Sequence, residues 1–485
     1  MRVLYTLGIY LYTLGIRLAA LFGHRNARLM ARGWKGFKNL KDLKGSEEHL
    51  AWFHAASLGE FEQARPVLET FRQRHPDYRV VVTFFSPSGY EVRKNYAQAD
   101  AVLYLPMDTP RNARRLIDTL KPNIVFFVKY EFWYNYLDEL RRRGIPTYIF
   151  SAIFRENQYF FKWYGRWFLK QLNRCFTHLF VQNALSMQLL QYLGDIDHCS
   201  IAGDTRFDRV HQIAEKAESN EVVEAFLNGH EGKVLVAGST WPPDEQLISK
   251  LITHHSSPTT HHPSPTTHHS SLITHHSSPT THHSSPTTHH SSPTTHHSSL
   301  ITHHSSLKII LAPHVISEEH LQQIEKLFPD SIRYSVFSEQ CSVFSNASQC
   351  RGSQLNTKHL TLNTPQVLLI DNIGLLSKLY RYADVAYIGG GFGVGIHNIL
   401  EAVTFGKPVL FGPNYHKFQE AKDIIERGGG WSVENGEHSE ESGALLKRLL
   451  EDEEFYSKAS QACTDYMNKN LGSTNLILRI VEDEE

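Results

Sequence analysis

Ten short apolar runs, five in each half of the chain, constrain the fold more than any other feature. In the N-terminal half they are YRVVVTFF, AVLYLP, NIVFFVKY, PTYIFSAI and THLFVQ; in the C-terminal half they are KVLVAG, LKIILA, QVLLID, DVAYIGG and KPVLFG. Helical patterns such as RNARRLIDTLK separate them. A strand that is apolar on both faces must be covered on both, and strand alternating with helix is how a parallel sheet achieves this. The pattern predicts α/β architecture with two Rossmann-like domains, and 485 residues exceed what one core serves. The stretch IAGDTRFDRV between the halves reads as the hinge, with Arg206 at its centre. Two such domains face a cleft, a favoured place for ligands.

The run from His49 to Ala56 reads as a further buried strand, and FEQARPVLETF has helical spacing of Phe61, Ala64, Val67, Leu68 and Phe71. Glu60 therefore falls on the turn at a strand's C-terminal end, the edge where open α/β sheets bind ligands. Ser57 and Gly59 let a substrate come close to the backbone there. The competing reading makes Glu60 a simple helix cap, since carboxylates suit a helix N-terminus.

The second strong local signal is YIGGGFGVGIHNILEAVTFGKPVLFGPN. A strand ends in Gly389, Gly390, Gly391, Gly393 and Gly395, and a helix is expected to begin near His397 and Asn398, offering N–H groups to a phosphate. Glu401, one turn after His397, is placed to hold ribose hydroxyls. The spacing is not GxGxxG and no acidic residue follows at the ribose distance, which disfavours a dinucleotide cofactor. The alternative is a glycine turn that serves only packing.

The first 23 residues, MRVLYTLGIYLYTLGIRLAALFG, are apolar apart from Arg2 and Arg17, and Arg25, Arg28, Arg32, Lys35, Lys38 and Lys41 follow. This reads as a membrane anchor with a basic cytoplasmic flank, either spanning or lying in the interface. No small-x-small cleavage site follows the run. With 49 basic and 50 acidic residues the net charge of -1 gives no case for nucleic acid. The five cysteines are scattered with no CxxC or zinc spacing, as suits a reducing cytosol.

Residues 251–306 are eight tandem heptads, three reading LITHHSS and five beginning PTTHH, and they hold sixteen of the thirty histidines. The array has no Asp, Glu, Lys or Arg and few apolar residues, so it is expected as a disordered loop inserted into a βαβ crossover. Its prolines exclude a coiled coil despite the period of seven. Metal binding by the paired imidazoles is the alternative. A second polar tract, 338–365, also reads as a loop.

Taken together, FHAASLGEFEQARP, TFFSPSGYE, VKYEFWYN, AGDTRFDRV, AGSTWPPDE, GGGFGVGIHNILEA and FGPNYHKFQEA resemble the bacterial 3-deoxy-D-manno-octulosonic acid (Kdo) transferases, most like those of Bacteroidetes-type bacteria. The resemblance implies a GT-B glycosyltransferase with an anchor (1–23), an acceptor-binding domain (24–205), a hinge (206–215) and a CMP-sugar-binding domain (216–485). It implies transfer of Kdo from CMP-Kdo to a lipid A precursor with inversion, no metal and no cofactor, at the cytoplasmic face of the inner membrane in contact with membrane lipid.

Carried onto this chain, the resemblance makes Glu60 the general base and makes Glu131 and Arg206 stabilisers of the transition state. The CMP site it implies comprises Pro313, His314, Ile373, Gly374, Leu375, Asn398, Ile399, Leu400 and Glu401. Many members carry arginine where this chain has His314. Two other classes stay open: a transferase using a UDP-sugar and a lipid carrier, and a non-catalytic metal-binding membrane protein built on the histidine array.

Overall fold

The computed structural model describes residues 2–34, 49–163, 165–192, 194, 197–256, 307–349, 365–436 and 439–484. Helices α1 (Arg2–Leu21) and α2 (Arg25–Gly33) precede the first sheet. Strands β1 (His49–Ala55), β2 (Tyr78–Phe84), β3 (Ala101–Tyr104), β4 (Ile124–Val128), β5 (Thr147–Ala152), β6 (His178–Val181) and β7 (Cys199–Ile201) then alternate with α3 (Leu58–Arg74), α4 (Pro87–Arg93), α5 (Pro110–Leu120), α6 (Tyr134–Arg142), α7 (Arg166–Asn173) and α8 (Ala184–Gln191). Their order is β3-β2-β1-β4-β5-β6-β7, all parallel. The five residues of β4, IVFFV, are all buried, as a strand sandwiched between helix layers requires.

The second half begins with α9 (Arg206–Glu215) and α10 (Glu221–Leu227). Its strands are β8 (Val234–Thr240), β9 (Lys308–Pro313), β10 (Ser331–Arg333), β11 (Val367–Leu369), β12 (Val385–Ile388), β13 (Val409–Phe411) and β14 (Gly430–Ser432). Between them run α11 (Pro242–Ser256), α12 (Glu318–Leu327), α13 (Tyr334–Gln349), α14 (Leu376–Leu379), α15 (Leu400–Val403) and α16 (Gln419–Glu426). Finally come α17 (Ser439–Glu451), α18 (Glu453–Asn470) and α19 (Ser473–Glu484). This sheet is parallel too, in the order β10-β11-β9-β8-β12-β13-β14. Two doubly wound domains are thus present, as the strand and helix pattern predicts, and they fit the GT-B architecture that the resemblance implies.

The strand order reverses between β1 and β4 in the first sheet and between β8 and β12 near the middle of the second. Helices leave these neighbours on opposite faces, so a crevice opens at their C-terminal ends, the rule for ligand sites in open sheets.

Several expected boundaries change. Leu251 and Ile252, placed in the histidine array, end the apolar stripe of α11 and are buried with Leu247 and Ile248. The helix runs on to Ser256, and the rest of the array, 257–306, lies outside the described residues. Residues 338–349 of the expected polar loop belong to α13, which Phe337 and Cys341, one turn apart, pin to the second core; 350–364 lie outside the described residues. The expected hinge, 206–215, is the helix α9, whose Phe207 and Val210 are buried in that same core. The last helix does not stay with the second domain. Ile477, Leu478 and Val481 of α19 enter the core beneath the first sheet, and Arg74 meets Glu482 at 3.1 Å.

α1 is long and apolar enough to cross a membrane, judged by length and composition. One side of it is fastened to the first domain: Arg2 Nη1 lies 2.9 Å from Asp138, the Tyr5 hydroxyl donates to buried Asp108 at 2.7 Å, and Tyr12 stacks on Phe85. Val3, Leu4, Leu7, Leu11, Leu14 and Leu18 remain exposed.

Candidate active site

Glu60 stands in the first turn of α3, directly after β1. Ser57, the residue before the helix, and Glu60 have the spacing of a capping box. The box itself does not form among the described residues: the Ser57 side chain makes no capping bond to the backbone, and its hydroxyl donates instead to the Glu60 carboxylate. Ser57 therefore holds the Glu60 carboxylate in place.

Glu131 follows β4, the neighbour of β1 at the switch point. Its Oε2 lies 3.2 Å from His54 Nε2 and accepts the Trp133 indole N–H at 2.6 Å. His54 is fully buried in β1, and its Nδ1 lies 2.8 Å from the Thr83 hydroxyl, which also accepts the Trp52 N–H. A chain of hydrogen bonds running into the core thus fixes one oxygen of Glu131. Phe85 packs on Trp133 at 4.8 Å and on Tyr12 of α1, so an aromatic path joins this wall of the cleft to the N-terminal helix.

Arg206 opens α9 and is gripped from both domains. Its Nε donates to Asp204 at 2.8 Å and its Nη1 to Glu420 of α16 at 3.0 Å. Asp204 is buried and also accepts from Gln63 of α3 at 2.8 Å. Burial alone would raise the Asp204 carboxyl, but the Arg206 charge and these donors hold it below the usual range. Lys129, next to Glu131, has φ of 60° and takes electrostatic influence from Arg206, Asp204, Glu60 and Glu420. That shared influence gathers Glu60 and Arg206 into one neighbourhood.

The opposite wall is built on β8, β9 and β12. Pro313 ends β9, and the His314 ring stacks between Trp241 at 4.8 Å and His397 at 4.5 Å. Burial, then the neighbouring His314, depresses the His397 pKa, which leaves it a neutral ring at neutral pH. The expected helix at His397 starts later: α15 begins at Leu400 and is four residues long. Asn398 accepts the Leu400 N–H at 3.2 Å and donates to Glu401 at 3.3 Å. Burial pushes the Glu401 carboxyl up, Asn398 opposes this, and Glu62 of the facing α3 adds to it. Ile399 and Leu400 are fully buried and belong to the second core. Ile373 is 92% exposed, Gly374 has φ of 96°, and Leu375 packs against the second core.

The glycine turn divides into two parts. A Cβ on Gly389 would stand 2.2 Å from the Ser239 carbonyl oxygen, and one on Gly391 would stand 2.5 Å from the Gly412 nitrogen. These two glycines serve close packing of backbone on backbone. Gly393 and the almost wholly exposed Val394 form the tip. Buried Asp244 holds the turn by accepting from Gly390 N at 3.0 Å, Trp241 N at 2.9 Å and the Tyr387 hydroxyl at 2.8 Å.

The expected residues thus form two groups. Glu60, Glu131 and Arg206 line the first-domain wall, and Pro313, His314 and Asn398 to Glu401 line the second, bridged by Arg206 to Glu420. Sequence reasoning passed over His54, Lys129, Trp133, Trp241 and Asp244. His54 was hidden inside an apolar run, although a histidine in a strand otherwise reading LAWF is itself a signal. Among the described residues, no group of three or more His, Cys, Asp or Glu is placed to hold a metal ion.

Residues 26–209 match the family model described as 3-deoxy-D-manno-octulosonic-acid transferase (kdotransferase). The chain is 24% identical over 414 residues to the 3-deoxy-D-manno-octulosonic acid transferase of Chlamydia trachomatis serovar A, covering 82% of this chain and 79% of that one. It is 24% identical over 401 residues to the enzyme of the same name from Aquifex aeolicus, covering 82% and 85%. Among solved structures, it resembles UDP-GlcNAc 2-epimerase from Neisseria meningitidis bound to UDP-GlcNAc, with TM-score 0.55, 15% identity and coverage of 90% and 100%. A second UDP-N-acetylglucosamine 2-epimerase gives TM-score 0.52 at 14% identity, covering 90% and 95%. The structural likeness speaks to the two-domain fold. The matched family model and the relatives aligned over 82% of this chain support a Kdo transferase.

Proposed function

We propose that this glycosyltransferase moves Kdo from CMP-Kdo to a lipid A precursor, with inversion at the anomeric carbon. The observation that carries the reading is Glu60, oriented by Ser57 at the β1/β4 switch point and facing a wall of candidate nucleotide-binding residues. An alcohol is a weak nucleophile, so a positioned carboxylate must take its proton as the new bond forms. Glu60 accepts that proton while the acceptor oxygen attacks the anomeric carbon from the side opposite the phosphate. The carbon–oxygen bond to CMP breaks, and CMP departs with the electron pair.

Charge develops on the sugar and on the leaving phosphate, and fixed groups aimed at it lower the barrier. Arg206, held by Asp204 and Glu420, and Glu131, held by His54 and Trp133, are the groups on the acceptor side. On the donor side, Pro313 and His314, the loop Ile373 to Leu375, and Asn398 to Glu401 receive CMP. The mechanism calls on no metal and no cofactor.

The acceptor is a glycolipid, and the path Tyr12, Phe85, Trp133 leads from α1 to Glu131. α1 offers an exposed apolar side to lipid, and the basic residues after it suit an anionic surface. This supports work at the cytoplasmic face of the inner membrane.

The test is incubation of purified protein with CMP-Kdo and a lipid A precursor, with mass spectrometry of the product. Kdo-modified acceptor is the expected result. Transfer from a UDP-sugar instead would establish the second class of transferase. Zinc binding that depends on the histidine array, without transfer from any donor, would replace the enzymatic reading.

A further inference from the structure

Lys129 is the feature of the cleft that the proposed mechanism leaves unused. It directly follows β4 at the switch point and adopts φ of 60°, a left-handed conformation rare for residues other than glycine. Its amide is pinned by donation to the Phe150 carbonyl at 3.0 Å. Ser151 and Ser239, at the ends of β5 and β8, share the unusual φ, so such conformations gather along the cleft edge of the strands. Unfavourable backbone persists where the surroundings impose it, and it concentrates at functional sites.

The charges around Lys129 are already committed. Asp204 and Glu420 both bind Arg206, and Glu60 is engaged by Ser57. Among the described residues the Lys129 ammonium has neither an ion pair nor a hydrogen bond. Burial, and then the repulsion of Arg206, weaken its hold on its proton. A half-buried cation beside another cation is unfavourable in the empty site and favourable once an anion enters.

Resting on the function proposed above, we propose that Lys129 binds the carboxylate of the transferred sugar. An octulosonic acid carries its C1 carboxylate directly on the anomeric carbon C2, so the carboxylate must lie beside the reacting centre. Lys129 is on the wall that bears Glu60. The residues expected to hold CMP are on the other wall, which separates the sugar carboxylate from the CMP phosphate as the anion recognised.

The experiment compares Lys129→Met, Lys129→Gln and Lys129→Arg with wild type, reading KM for CMP-Kdo, kcat and inhibition by CMP. Removing a charged hydrogen-bond partner should raise KM about tenfold or more in the Met and Gln variants, with kcat changed less. CMP, which lacks the sugar carboxylate, should inhibit all variants within about twofold of wild type, and Lys129→Arg should recover most of the KM. CMP inhibition also reports that the variants are folded. An unchanged KM overturns the proposal, as does weakening of CMP as large as that of CMP-Kdo, which would make Lys129 a phosphate ligand. Wild type that turns over UDP-sugars but not CMP-Kdo overturns the underlying function instead, and that outcome is visible before any variant is made.

Discussion

Arg206 and Glu420, 214 residues apart in the chain, meet at 3.0 Å. Arg206 also holds Asp204, which Gln63 ties to α3, so one guanidinium links both domains at the floor of the cleft. A side chain fixed by two carboxylates is preorganised for charge that appears only during reaction.

Arg206→Met should therefore lower kcat by about 10²–10³, the scale for losing one group that stabilises developing charge. Glu420→Gln keeps the guanidinium and loses only one of its supports, and it should cost about tenfold or less. Steady-state kinetics decide between them. Equal losses in the two variants would show that Arg206 works as a domain clasp rather than at the reacting centre.

Glu60→Gln should reduce kcat by about 10² or more while CMP inhibition stays near wild type, as expected for a lost base. Ser57→Ala keeps the carboxylate but removes its hydrogen-bond donor, so its effect should be smaller, about tenfold. If Glu60→Gln retains wild-type turnover, the base is another residue, and Glu131 is the next to test.

Deletion of residues 257–306 should leave fold and activity intact, because that stretch lacks the apolar residues a core needs and loop closure depends weakly on length. Deletion of 251–306 should behave differently. It removes Leu251 and Ile252 from the core, and each buried aliphatic lost costs about 2–5 kcal/mol. Denaturant unfolding of the two deletions separates these outcomes; equal stability would show that the end of α11 contributes nothing.

Asp108 supplies a pH dependence. Burial pushes its carboxyl up to about 6, against the opposing donors Tyr5, Asn135 and Tyr136 and the charge of Arg2. A raised acid binds its proton more firmly folded than unfolded, so its contribution to stability is greatest below about pH 4 and is lost as pH rises to about 6. The loss is on the order of 3 kcal/mol. Asp108→Asn lacks this slope, so its stability relative to wild type should improve between pH 4 and 7. Urea unfolding across that range would contradict the assignment if the difference stayed constant.

The residues that make each segment what it is act locally, and that part was legible in advance. β4 and β12 read as strands because they are apolar on both faces, and α3 reads as a helix because its apolar residues recur on one side. Glu60 could be located from the same evidence, since a buried strand followed by small residues and a carboxylate marks a strand-end turn. The doubly wound architecture follows from the alternation.

The tertiary structure alone decided which of these segments became neighbours. Only the strand order brings β1 beside β4, and with it His54 to Glu131, 77 residues apart. Only the packed chain gives Arg206 its partner Glu420, returns α19 to the first domain and, among the described residues, leaves Lys129 without an ion pair under the influence of Arg206. Helix and strand preferences are set within a few residues, whereas pairing order, burial and electrostatic neighbourhood depend on which apolar surfaces of the whole chain cover one another, and no local pattern encodes that choice.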